Sequence, residues 1–229
     1  MRRVAIVLAA WTFMGGQALS QSPDQASSQA TISFGNEIIA RADAAGIFAS
    51  EPNQPASAVR HVRSGMRCFF AVGGDGEITI YPIHDGLERG DDVSCGENTS
   101  MGTVTLFAER GIRPQSNEDA LAAVVGAMRA VHQQVQEIPL STLTTLTLGN
   151  ESAVPPYASA AFIVRDGDRS AITRASTYVA NGWVYTLRFT TSAPRSNIMA
   201  DIAWKTMLVD LQQHAVPTRQ HPEASAFSE

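Results

Sequence analysis

Apolar residues recur along this chain at two different periods, and the switches between them divide it into elements. Phe34, Ile38, Ala42 and Ala45 fall at helical spacing and predict an amphipathic helix over 34–49. Pro52 and Pro55 stop it, because neither ring can continue a helix. The period then drops to two. Met66 to Val72, Glu77 to Tyr81, Asp91 to Cys95 and Gly102 to Glu109 read as short antiparallel strands, separated by Gly73-Gly74-Asp75-Gly76, Asp85-Gly86 and Gly96-Glu97-Asn98.

Helical spacing returns at 117–137, where Leu121, Val124, Val125, Met128, Val131 and Val135 mark one face behind a capping Ser116, and Pro139 ends the run. A second β region begins near Leu143, Thr145 and Thr147. It continues through a loop with Pro155 and Pro156 into runs at 159–166, 169–180 and 182–191. Asn181-Gly182 between the last two is a strong hairpin signal, since a type I′ turn needs positive φ at both central residues. A closing helix, 197–212, carries Ile198, Ile202, Trp204, Leu208 and Leu211. Helix, strands, helix, strands, helix, joined by hairpins rather than by crossovers, predicts an α+β domain with an antiparallel sheet and helices packed on its faces.

The ends have a different character. Arg2 and Arg3 precede an apolar run from Val4 to Phe13, too short to span a bilayer, and small residues follow at Ala18 and Ser20. This is the layout of a secretory signal over 1–20, cut after Ser20 or, alternatively, after Ala18; an uncut N-terminal anchor is the competing reading. Residues 21–33 are too polar to offset the entropy of ordering and are expected to form a flexible leader. The single domain is expected over 34–212, and 213–229 as a disordered tail.

Export changes the reading of charge and of cysteine. Losing Arg2 and Arg3 leaves 15 basic residues against 22 acidic ones, so the formal charge moves from −5 to −7. With Lys205 as the single lysine, no basic footprint remains for nucleic acid or an anionic membrane. No stable membrane span is expected after cleavage, and the location is periplasmic or secreted. Cys68 and Cys95 are the two cysteines, and in an oxidising compartment one intrachain disulfide is open to them. Closing a loop of about 28 residues removes roughly 3–4 kcal/mol of denatured-chain entropy. Two free buried thiols or a redox pair are the alternatives, although the C-x-x-C spacing of a redox pair is absent.

From Ser159 to Leu211 the chain resembles the PsbP/Mog1 superfamily: a meander ending in Asn181-Gly182-Trp183-Val184-Tyr185, then Ser192-Ala193-Pro194 and an amphipathic helix. Ser64-Gly65-Met66-Arg67-Cys68 and Gly90-Asp91-Asp92-Val93-Ser94-Cys95 resemble segments of exported bacterial proteins of unknown function. The superfamily resemblance implies an α/β/α sandwich and leans towards proteins that bind or help assemble others; a likeness of fold carries no site with it.

No motif names a catalytic, cofactor or metal site. His61, His84, His132, His214 and His221 lack ligand spacing, and His132 beside three glutamines reads as a surface histidine. His84-Asp85 is the nearest approach to an acid/base pair, yet Asp before Gly is ordinary turn chemistry. Asp75-Gly76-Glu77, Asp91-Asp92 and Asp166-Gly167-Asp168 lack the spacing of a calcium loop and read as hairpin turns. The expectation is a non-enzymatic binding or assembly module for an unknown protein or small molecule, without cofactor. The alternative is a periplasmic enzyme, a hydrolase for example, whose residues converge from distant positions.

Overall fold

The computed structural model describes residues 23–83, 86–111, 114, 116–143, 153–193 and 197–214. The chain enters through α1 (Pro23–Arg41) and passes a tight turn with positive φ at Asp43 and Gly46. It then forms the antiparallel sheet of β1 (Phe48–Glu51), β2 (Ser57–His61) and β3 (Arg67–Phe70). Three expectations are corrected here. The helix starts at Pro23, within the segment 21–33 expected to be flexible, and it ends at Arg41 rather than at 49, so that Phe48 and Ala49 already belong to strand. β2 had no counterpart in the pattern reading. The leader is ordered by polar contacts that hydropathy does not register: Thr31 Oγ1 donates to the Asn53 carbonyl at 2.8 Å, Ser57 Oγ to that of Thr31 at 2.7 Å, and Ser50 Oγ to that of Ile32 at 3.0 Å.

The larger sheet has seven strands. β4 (Glu77–Ile80), β5 (Asp92–Thr99) and β6 (Gly102–Arg110) run as a meander. α2 (Asn117–Val131) then carries the chain across to β7 (Gln134–Ile138) at the far edge. β8 (Ala158–Asp166), β9 (Arg169–Ala180) and β10 (Trp183–Thr191) return until β10 pairs with β6, giving the order β4-β5-β6-β10-β9-β8-β7. All of its pairings are antiparallel. α3 (Asn197–Gln213) closes the described chain. The α+β class with helices packed against antiparallel sheet therefore holds, with two sheets in place of one.

Two boundaries moved. The helix expected over 117–137 stops at Val131, where His132 takes an extended φ, and Gln134–Ile138 becomes the edge strand β7. Val135 lies at a helical repeat but reaches the core as a strand residue, while Val131, expected on the buried face, is 70% exposed. Gly96-Glu97-Asn98 was expected to separate strands, yet it lies inside β5, whose ladder with β6 runs unbroken to Thr99. Glycine suits position 96 because a Cβ there would lie 2.8 Å from the Val104 carbonyl oxygen. The Asn181-Gly182 turn has the expected positive φ at both residues, 54° and 76°. The strand start expected at Thr145 and Thr147 and the His84-Asp85 loop lie outside the described residues.

Strand alternation in the large sheet sorts side chains into two cores. Trp183, Tyr185, Leu187 and Phe189 of β10 face α1, the small sheet and Trp204, Met207 and Leu208 of α3. On the other face Ala160, Phe162 and Val164 of β8, with Ala175 of β9, receive Met128, Leu121, Val124 and Val125 of α2. Phe70, Phe162 and Phe189 are almost wholly buried, each contributing roughly 1.5–3 kcal/mol. Among the described residues no helix is long and apolar enough to cross a membrane.

Candidate functional site

β3 is the outer strand of the small sheet, and the Cys68–Cys95 disulfide fastens it over β5 of the large one, with Cα atoms 6.4 Å apart. α3 lies over β10 and reaches β3. Between α3 and the β3–β5 junction the apolar layer remains open as a cleft of about 480 Å³. Its walls include Phe70, Val104, Leu106, Ile202 and both cysteines. Small side chains at Ala56, Ala71 and Ala203 leave it unfilled. Met101, 39% exposed at the β5–β6 turn, stands at its open side.

Among the described residues lining this cleft, Glu97 alone carries a titratable side chain. The Ala71 N–H donates to its carboxylate at 3.0 Å and 3.3 Å. Burial raises the Glu97 carboxyl above its ordinary range; the Ala71 N–H opposes that rise and nearby Asp75 adds to it. A largely apolar cavity of this size with a few polar side chains in its lining is the form of a ligand pocket. A lining of this kind can take up an apolar group, with the Thr99 and Thr206 hydroxyls and the Glu97 carboxylate as its polar side chains.

The histidines and acids singled out in the sequence lie elsewhere. His61 is fully buried, with Phe48 at 5.1 Å and Trp183 edge-on at 5.4 Å between ring centroids. His61 Nδ1 accepts the Ser64 backbone N–H at 3.3 Å and lies 2.7 Å from Ser64 Oγ, which itself accepts the Met66 N–H at 3.1 Å; an accepting Nδ1 places the proton of the neutral ring on Nε2. Burial, with the charge of Arg63, pushes the His61 pKa down to about 4. This Ser-His pair holds the β2–β3 turn in place, and neither residue lines the cleft. His132 is half-buried rather than simply exposed, its Nδ1 2.7 Å from Asp166 Oδ2 at the C-cap of α2, and this contact first among others lowers the Asp166 carboxyl. His214 sits 3.0 Å from the Asp210 carbonyl, and His221 lies outside the described residues.

Asp91 is turn chemistry, as expected: its Oδ2 accepts the Glu88 N–H at 2.8 Å, and Arg63 Nη1 lies 3.0 Å from Oδ1. A second hollow, of about 550 Å³, adjoins it between Leu87, Arg110 and Trp183. Arg110 lies over the Trp183 ring at 5.8 Å and within 3.8 Å of Asp91, so its charge is already engaged. No group of three or more His, Cys, Asp or Glu among the described residues could hold a metal ion.

Sequence reasoning missed a buried ionic cluster altogether. Arg174 of β9 pairs with Asp201 of α3, its Nε donates to Ser159 and Ser176 at 3.1 Å each, and Lys205 Nζ lies 3.5 Å from Asp201. Arg174 and Asp201 are nearly sealed from solvent, so this cluster locks α3 to the sheet. The i, i+4 placement of Asp201 and Lys205 was the legible part of it. No protein-family model matches the chain, and no curated protein is similar to it.

Proposed function

We propose that the chain is an exported binding module whose cleft between α3 and the β3–β5 junction receives an apolar group of a partner molecule. The single observation that carries this is the 480 Å³ cleft itself, open at Met101 and walled by the disulfide. A native disulfide agrees with release into an oxidising compartment, periplasmic or secreted, after loss of the signal at 1–20. The resemblance of Ser159 to Leu211 to the PsbP/Mog1 superfamily supports a binding or assembly role in the same direction. The acidic balance of the chain disfavours nucleic acid as the partner.

The reading is tested with Nile red, a neutral dye that brightens in apolar pockets. The mature protein is expected to bind it, and Ala203→Trp or Val104→Phe, each filling the cleft from a different wall, is expected to abolish binding while preserving the circular dichroism spectrum. Undiminished dye binding by both folded variants would show that the cleft is not the site.

A further inference from the structure

The His61 N–H donates to the Met66 carbonyl at 2.8 Å, which makes these two a hydrogen-bonded pair at the head of the β2–β3 ladder. Below them Arg60 faces Arg67, Val59 faces Cys68, Ala58 faces Phe69 and Ser57 faces Phe70. In an antiparallel ladder, hydrogen-bonded and non-hydrogen-bonded pairs alternate. Val59 and Cys68 therefore exchange bonds, while the N–H and C=O of Arg67 and of Phe69 point away from β2. Ala71 continues the alternation, for its N–H leaves on the same side and meets Glu97. Among the described residues no strand pairs with β3 on that side.

The two outward-facing positions of β3 differ. The Arg67 end lies under α3, whose Asp210 comes within 3.7 Å of the guanidinium. Phe69 lines the cleft. The wall of this apolar cavity thus presents one backbone donor and one backbone acceptor.

We infer that the occupant of the cleft is an extended peptide segment that adds to β3 as a fourth, antiparallel strand, pairing the N–H and C=O of Phe69 and placing alternate apolar side chains against Val104 and Leu106. This rests on the reading of the cleft as a binding site. A hydrocarbon chain would cover the Phe69 backbone groups without pairing them and leave both unsatisfied, whereas an extended peptide satisfies both. Charge fixes the polarity of the segment. Glu97, with Asp75 near it, stands at the Ala71 end of β3, in a chain with an excess of acidic residues, so a basic residue is favoured there. In an antiparallel addition that end receives the N-terminal side of the peptide.

The test uses the mature protein and an acetylated, amidated hexapeptide of sequence Lys-Leu-Thr-Leu-Thr-Leu, with Nile red as the competing probe. The peptide is expected to displace the dye and, at saturation, to slow hydrogen exchange of the Phe69 amide by about tenfold or more. An analogue N-methylated at alternate residues on the β3-facing side is expected to bind at least about tenfold more weakly. Dye displacement without Phe69 protection, or equal binding of the methylated analogue, would overturn strand addition. Binding of Nile red but not of the peptide would do the same and leave the cleft as a binding site. Failure of both dye and peptide to bind would remove the binding reading itself.

Discussion

The Tyr185 hydroxyl donates to the Ser64 carbonyl at 2.6 Å, tying the central strand of the large sheet to the β2–β3 turn, 121 residues earlier in the chain. Both groups are buried, so the small sheet is held down by a bond that water cannot replace. Tyr185→Phe leaves the carbonyl unpaired and is expected to lower unfolding free energy by about 1–3 kcal/mol, read from urea titration. An unchanged midpoint and slope would mean that the carbonyl finds another donor.

The His61 ring beneath that turn gives the fold a pH dependence. Its folded pKa of about 4 lies below the unfolded value near 6.5, so the unfolded chain binds more protons between them. Stability from this group is complete above about pH 6.5 and is lost as pH falls towards 4, amounting to ~3 kcal/mol. Urea titrations from pH 7.5 to 4.5 are expected to show this loss in the parent and a flatter profile in His61→Phe, which keeps a ring against Phe48 and Trp183. Parallel profiles would place the acid sensitivity in other groups.

Cys68 and Cys95 fasten the strand that walls the cleft, and we expect the bond to act structurally. Unreduced denatured protein should show no free thiol. Cys68→Ser combined with Cys95→Ser should melt lower, with a loss of up to roughly 3–4 kcal/mol. An unchanged melting temperature would show that the bond does not stabilise the fold.

On the opposite face, Met128 is 1% exposed against Phe162 and Val164, and Val131 one turn later is 70% exposed. Met128→Ala is expected to cost about 2–5 kcal/mol, and Val131→Asp to stay within about 0.5 kcal/mol of the parent. Thermal denaturation compares them directly. A large effect at Val131 would mean that α2 is rotated from the position described.

These contrasts show what could be read from the chain and what could not. β9 and β10 were legible because alternation and Asn181-Gly182 act within a few residues. α2 was legible at its capped start, where Ser116 Oγ accepts the Asp119 N–H at 3.0 Å, but not at its end, since Val135 satisfies helical and strand spacing alike. α1 was missed before residue 34 because Thr31 is buried through hydrogen bonds rather than through apolar area. The cysteines announced their pairing. The cleft did not announce itself, because it is a volume left between α3 and strands far away in sequence, and no local pattern encodes a gap. Arg174 and Asp201 were silent for the same reason, each looking like an ordinary charged residue until the two elements meet.

Methyl-resolved NMR during titration with neutral 1-decanol shows where an apolar molecule binds. Saturable shifts are expected at Met101, Val104, Leu106 and Ile202, which line the cleft, with Met128, Val131 and Val164 across the sheet unmoved. Shifts centred on Leu87 and Val184 at the second hollow, or none at any methyl, would contradict the reading of the cleft as a binding site.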